Sequence, residues 1–326
     1  MKRLVFDKHG DPAQVLRIEE APVPLAAAGE LLVRMIRRPV NPYELAMISG
    51  GNGSEPAGTQ VPGFEGIGIV EAAGSQDLAF TKGQRVIPAP VDLPGTWQEY
   101  VTGRPEQFVP VPDNVDDTQA ALIVNPLTCL VILREILNIK EGQWVMNTAA
   151  STNIGQLLIQ LANILGFQLI NVVRNRAAEE NIRSLGAGYI INTNTDDLIT
   201  VCERLTKGRG VNAVVDPVGG RTGSMAAKTL AFGGKMLLFS DMSGDSVKIE
   251  PMEFISKKLT VAGYTSFHWL NENSYEHKTR LISEIFTLIA NEQLILKSDG
   301  DFKLEDYKLA IERSKESGRH GKIMLV

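Results

Sequence analysis

The residues best suited to chemistry stand at one junction, WVMNTAASTNIGQLLIQLANILGFQLINVVRNR, residues 144–176. A short apolar run, WVMNT, leads into a turn. Ile154, Leu157, Leu158, Leu161 and Leu165 then recur at helical spacing until Gly166 stops the helix. A second apolar run, QLINVV, follows at once, so the segment predicts a strand–helix–strand unit. N–H groups left free at the start of a helix, and the helix dipole, both favour an anion, so Ala150, Ser151, Thr152, Asn153, Ile154 and Gly155 form a loop where a pyrophosphate would sit. Of the G-x-G-x-x-G pattern this loop keeps only Gly155, with Ala150 and Asn153 in the first two places, so an ordinary strand–helix turn stays open as a reading. The second strand closes on Val173, Arg174, Asn175 and Arg176, where an NAD-preferring chain would carry an acid for the ribose hydroxyls. Arginines there suit a 2′-phosphate through forked, charge-assisted contacts and point to NADPH; the alternative is two solvated loop residues.

A second candidate is DPVGG, residues 216–220, where an apolar run ends in a glycine pair. Backbone there could approach a ligand closely at the carboxyl edge of a parallel sheet, or simply make a tight turn. Metal chemistry finds no footing in the spacing. Cys129 and Cys202 form no C-x-x-C pair and read as reduced structural thiols, and His9, His268, His277 and His320 are scattered.

The surrounding texture says what must position these groups. The first ~110 residues are short runs between Gly and Pro, among them KRLVF (2–6), ELLVRMI (30–36), GIGIVEAA (66–73), QRVIPA (84–89) and TWQEYV (96–101), the look of small antiparallel sheets and barrels. Trp97 reads as a packing residue of that barrel. From Gln119 to Gly263 strands alternate with helices: WVMNT, QLINVV, YIIN (189–192), VNAVVD (211–216), KMLLFS (235–240) and LTVAG (259–263). Such alternation predicts a parallel sheet covered on both faces. Two amphipathic segments, 274–292 and 304–317, precede a last apolar run, KIMLV (322–326), expected to return to the first domain. With 326 residues, 44% hydrophobic and 22% charged, the chain can bury a sizeable core. Its balance of 33 basic against 38 acidic side chains, without a block of one sign, argues against nucleic acid and acidic membranes as partners. No run approaches the ~18 apolar residues of a membrane helix, and the chain reads as cytoplasmic.

Taken in order, VNPYELAMISG (40–50), VPGFEGIGIVEAAG (61–74), GTWQEYV (95–101), VPVPDNV (109–115), NPLTC (125–129), the 149–175 junction, LGAGYIIN (185–192), DPVGG and GRHGKIMLV (318–326) run nearly end to end. In these motifs the chain resembles the medium-chain dehydrogenase/reductase superfamily, and within it the zinc-independent branch of quinone oxidoreductases and 2-enoyl thioester reductases. The resemblance implies an α/β protein: a Rossmann doubly wound parallel sheet over 119–263, set into a GroES-like β-barrel substrate domain from 1–118 and 264–326. It implies an active site in the cleft and, as is common in the family, a homodimer; with the arginines at 174 and 176 the cofactor expected is NADPH. Where the zinc alcohol dehydrogenases carry metal ligands, this chain has Asn41 and Pro42, then Phe64, with Glu65 alone remaining, so no metal is expected.

Without a metal to polarise a carbonyl, hydride must go to an acceptor that is already electrophilic, a quinone or a conjugated carbonyl such as an enone or enoyl thioester. The enoyl thioester reductases place a tyrosine where alignment gives Asn52, and an amide cannot supply a proton near neutral pH. Tyr43, Tyr264 and His268 are alternative donors. By the same resemblance Asn41, Asn125 and Thr128 lie around the nicotinamide and its ribose, Pro217, Val218 and Ser240 flank them, Phe267, His268 and Trp269 stand at the mouth of the cleft, and Lys322 lies at the outer cofactor edge. Two other classes stay open: a non-catalytic NADPH-binding protein, and an NADH-dependent lyase or dehydrogenase.

Overall fold

The computed structural model describes residues 1–51, 56–75, 79–89, 95–316, 319 and 321–326, and all counts are of these. The chain divides into two compact units, Met1–Val124 with Leu270–Val326, and Asn125–Trp269. The crossings at 124/125 and 269/270 fall later than the 118/119 and 263/264 read from the sequence. Local bonds give the reason: the Val124 N–H donates to Glu65 (3.0 Å) and the Leu296 N–H to Gln119 (3.0 Å), which hold 119–124 to the first unit.

The first unit begins with β1 (Lys2–Val5) and β2 (Arg17–Glu20), an antiparallel pair. β3 (Leu31–Pro39), β4 (Ile67–Ala73), β5 (Arg85–Pro88), β6 (Tyr100–Gly103) and β7 (Phe108–Pro110) form most of a larger sheet. Nine-residue β3 is its spine, pairing with β4 and with β6. Register breaks at Leu32/Val33 and Met35/Arg37 bend it, as bulges do. The run 96–101 pairs with β3 only from Tyr100, while Trp97 to Glu99 meet β1 through an isolated antiparallel bridge at Arg3 and Gln98; Trp97 is fully buried and its indole donates to the Pro39 carbonyl (3.2 Å).

The second unit supplies β8 (Trp144–Asn147), β9 (Gln168–Val173), β10 (Tyr189–Asn192), β11 (Val211–Asp216), β12 (Leu230–Leu238) and β13 (Thr260–Gly263). All pair in parallel, in the order β10-β9-β8-β11-β12-β13. β9 and β11 are buried almost throughout, as strands covered on both faces must be. The chain order steps outward from β8 to β10, then restarts beside β8 with β11. In such sheets the strand-order reversal leaves a crevice at the carboxyl ends, here after β8 and β11, the Rossmann arrangement.

The chain then re-enters the first unit. The helix Tyr275–Ala290 is followed by β14 (Ser298–Phe302), the helix Tyr307–Lys315 and β15 (Lys322–Leu325). β15 pairs antiparallel with β3, as the apolar closing run predicts. Ile323, Leu325, Tyr307 and Ile311 pack there with Leu4, Phe6 and Trp97. Beneath them Arg38, 2% exposed, donates to the carbonyls of Thr96 (3.1 Å) and Gln98 (2.9 Å), and burial lowers its pKa to about 10.

Candidate active site

In the second unit the loop after β8 is set by its own polar side chains. Thr152 caps the helix Asn153–Leu165, its hydroxyl accepting from the Gly155 N–H (3.1 Å) and donating to the Ala149 carbonyl (2.8 Å). Buried Asn147 accepts from the Ala149 N–H (3.3 Å). Gly155 is required by contact, since a Cβ there would lie 2.3 Å from the Ala149 oxygen. That is the packing role of the last glycine of the fingerprint, and it explains why this one alone survives. After these bonds, the N–H groups of Ser151, Asn153 and Ile154 have no partner among the described residues. They are the orphan donors of a helix start.

The Ala150 N–H donates to the Val172 carbonyl (3.2 Å), which brings the end of β9 against this loop. Arg174 follows, exposed and with no carboxylate paired to it among the described residues. Arg176 differs: it opens the helix Arg176–Ser184 and pairs with Glu180 one turn on (2.8 Å). Asn175 caps that helix, accepting from the Ala178 N–H (2.9 Å).

The turn after β11 is organised by Asp216, fully buried. Its carboxylate accepts from the Thr148 hydroxyl and from the N–H groups of Val218 (3.0 Å) and Gly219 (3.2 Å to Oδ2). Gly219 and Gly220 both adopt positive φ, 73° and 52°, so the glycine pair is needed by the backbone of the turn itself. Pro217 and Val218 accept through their carbonyls from Met242 (3.0 Å) and Ser243 (2.9 Å), while Ser240 is exposed. Asp216 as the organiser was not singled out in the sequence; an acid followed by two glycines is the signal that marks such a turn.

Asn125 and Thr128 lie on the helix Val124–Val131. The Thr128 hydroxyl meets that of Ser266 (3.1 Å), and both hydroxyls act on Tyr264, whose phenol burial pushes up to about 12. Phe267 and His268 are exposed, their rings 5.9 Å apart. Trp269 departs from the expected cleft mouth: it is buried, with its indole donating to Glu135 (2.7 Å) inside the unit.

In the first unit the residues around Asn41 form a closed ionic cluster. Asn41 precedes the helix Pro42–Ile48, and Glu44 lies on its first turn. The Asn41 amide donates to Glu65 (2.9 Å) and to Glu44 (3.4 Å), and its carbonyl accepts from the Lys322 ammonium. Glu65 also accepts from Val124, and Glu44 from the Phe64 N–H (3.1 Å). All four side chains are buried. Burial, with the Glu65 charge beside it, pushes the Glu44 carboxyl up to about 7. Burial also raises Glu65 and lowers Lys322, against the attraction each exerts on the other.

Two sequence expectations change here. Both Asn41 amide hydrogens are committed within the cluster, so Asn41 has none to give a substrate oxygen. Lys322 stands at no outer edge, because its ammonium is drawn into the buried carboxylate pair. Glu44 was missed; an Asn followed three residues later by Glu at a helix start is the signal that could have found it. Tyr43 is exposed and packs on Phe64, ring centroids 5.6 Å apart. Asn52 lies outside the described residues.

Comparison with known proteins agrees with this architecture. Residues 27–113 match the alcohol dehydrogenase GroES-like domain, and residues 153–284 the zinc-binding dehydrogenase family. The mitochondrial enoyl-[acyl-carrier-protein] reductase of Arabidopsis thaliana is 30% identical over 318 residues, covering 96% of this chain and 84% of the plant protein. A Bacillus thuringiensis protein classed provisionally as an NADPH:quinone reductase superposes with a TM-score of 0.92 at 34% identity, over 100% of this chain and 98% of its own. The Escherichia coli quinone oxidoreductase solved with NADPH gives 0.88 at 25%, over the whole of both chains. The chain belongs to the quinone oxidoreductase and enoyl reductase branch of the medium-chain dehydrogenase/reductase superfamily.

Proposed function

We propose that this protein is an NADPH-dependent oxidoreductase that reduces a quinone or a conjugated carbonyl without zinc. The observation that carries the reading is Arg174, exposed at the end of β9 and, among the described residues, without an ion pair, beside a loop with three N–H groups that likewise have no partner among those residues. These residues fit a dinucleotide carrying a 2′-phosphate: Ser151, Asn153 and Ile154 would donate to the pyrophosphate, and the Arg174 fork to the extra phosphate. When bound, NADPH supplies a hydride. Arg176 adds a second guanidinium once it leaves Glu180, and an exposed pair of this kind is too weak to hold it back. Asp216 keeps the β11 turn in place. Tyr264 lies buried beside Thr128 and Ser266, and burial raises its phenol pKa, so it could offer a substrate oxygen a hydrogen bond more readily than a proton.

Metal independence rests on the cluster around Asn41. A divalent cation brought to Glu44 and Glu65 would meet the Lys322 ammonium already among them, and neither an amide nor Phe64 replaces a thiolate or imidazole. Among the described residues no group of three or more His, Cys, Asp or Glu could hold a metal ion.

Assembly as a homodimer and a cytoplasmic setting belong to the same proposal. β13 is an edge strand with Val261 exposed, and Met252, Phe254 and Ile255 lie exposed just before it, an unpaired edge with apolar surface of the kind that a second copy covers. Cys129 and Cys202 are free and buried, in keeping with a reducing compartment. No helix among the described residues is long and apolar enough to cross a membrane.

Reduction of a 2-enoyl thioester is the second reading, favoured by the enoyl-[acyl-carrier-protein] reductases among the relatives. Steady-state rates with a simple quinone and a short enoyl thioester, each with NADPH and with NADH, separate the readings. Quinone turnover with NADPH well above thioester turnover supports the first, the reverse supports the second, and neither rate above background leaves a non-catalytic NADPH binder. In the quinone case, Asn52→Tyr is expected to raise the thioester rate ~100-fold, the usual worth of a positioned acid, and to leave the quinone rate nearly unchanged.

A further inference from the structure

The first unit holds a buried cation that the oxidoreductase reading does not use. Lys278, on the helix Tyr275–Ala290, is only 8% exposed, and its ammonium donates to the Leu270 carbonyl (3.1 Å). No carboxylate pairs with it among the described residues, and burial alone lowers its pKa. Buried ammonium groups are rare without an anion, because the lost hydration is repaid only by a partner charge.

Lys278 faces a cavity of about 250 Å³, lined also by Arg104, Glu106, Asn271 and Tyr275. Among the described residues Glu106 is the one acid in the lining, and it is engaged by the Arg104 Nε (2.7 Å), both side chains standing at the exposed rim. The other guanidinium nitrogens of Arg104 have no partner among the described residues, and neither has the Asn271 side chain. Tyr275 is fixed by donation from its hydroxyl to the Phe108 carbonyl (2.9 Å). The walls thus present unused donors from an ammonium, a guanidinium and an amide, around a volume suited to a small molecule or the end of a larger one.

We infer that this cavity is a binding site for an oxyanion, a carboxylate or a phosphate, anchored by Lys278 and Arg104. Lys278 supplies the point charge, with two N–H groups to spare, and Arg104 the fork at the more exposed side. The site lies wholly within the first unit, and its residues are separate from Arg174 and from the Asn41 cluster. The inference stands whether or not the acceptor of the reaction is a quinone.

The test is thermal unfolding of the full chain at constant ionic strength, with inorganic phosphate or succinate replacing chloride. Wild type, Lys278→Met and Arg174→Asp are compared. A saturable rise in Tm of about 3 °C or more is expected for wild type and for Arg174→Asp, and none for Lys278→Met. Phosphate or succinate acting alone identifies which oxyanion the site takes. Lys278→Met also provides a reading without ligand: removing a lone buried charge should leave Tm in chloride unchanged or higher. No anion-dependent shift in wild type, or a shift lost in Arg174→Asp and kept in Lys278→Met, overturns the inference. So does a Lys278→Met protein that is markedly less stable in chloride, since the ammonium then has a partner within the fold.

Discussion

Replacing Arg174 with Ala tests the cofactor assignment most directly, because no ion pair or hydrogen bond among the described residues depends on that side chain. It is exposed and makes no ion pair among the described residues, so its loss should leave stability unchanged. A 2′-phosphate gripped by the guanidinium gains charge-assisted hydrogen bonds, and losing the pair costs about 2–3 kcal/mol, or roughly 30- to 150-fold in affinity. Arg176→Ala should cost only a few-fold, since that guanidinium is shared with Glu180. NADH has no 2′-phosphate and should bind both variants as it binds wild type. Fluorescence titration of each protein with NADPH and NADH, at one fixed salt concentration, reads all six dissociation constants. An equal loss of NADH affinity in Arg174→Ala would place the arginine on a part of the cofactor common to both. Equal affinities for the two cofactors in unmodified protein would refute the reasoning altogether.

The other expectations concern the buried charges and the loop. Burial and the Glu65 charge push the Glu44 carboxyl up to about 7 in the folded chain, above the ordinary carboxylate value it has when unfolded. The folded state therefore holds the extra proton, and the stability it contributes is complete below about 4.5 and is lost as pH rises through 7. Glu44→Gln should flatten that part of a denaturation-against-pH curve, and an unchanged slope would contradict the burial of a titrating acid. Lys322→Met strips the cation from two buried carboxylates and should cost about 3–5 kcal/mol in urea unfolding; a loss under 1 kcal/mol would mean that the cluster is open to water. Gly155→Ala pushes a methyl group against the Ala149 carbonyl and should lower stability by about 1–3 kcal/mol and weaken NADPH, both measurable in one thermal-shift series with and without cofactor. Activity should survive exhaustive chelation, and zinc present at one equivalent and lost together with activity would end the metal-free reading.

What the sequence made legible follows from the range of the interactions involved. Periodicity and the Gly166 stop are local, and the helix from Asn153 to Leu165 with Gly166 at φ 72° is where they place it. The parallel strands read equally well, because β9 and β11 are covered on both faces and so carry unbroken apolar runs. TWQEYV read as one strand divides its pairing: Trp97 to Glu99 meet β1 and Tyr100 onward pairs with β3, a change of partner that alternation alone cannot show. The site was less legible wherever a side chain's partner lies far along the chain. Lys322 reaches Asn41 across 281 residues, and Thr128 reaches Ser266 across 138; no spacing rule connects either pair. Trp269 looked like a cleft residue by position, yet its indole N–H needs an acceptor when buried, and Glu135 provides one 134 residues away. Arg174 differs from these, because its place follows from the end of a strand: it comes directly after β9, exposed and with no ion pair among the described residues, and the 2′-phosphate contact proposed for it is what the NADPH and NADH titration tests.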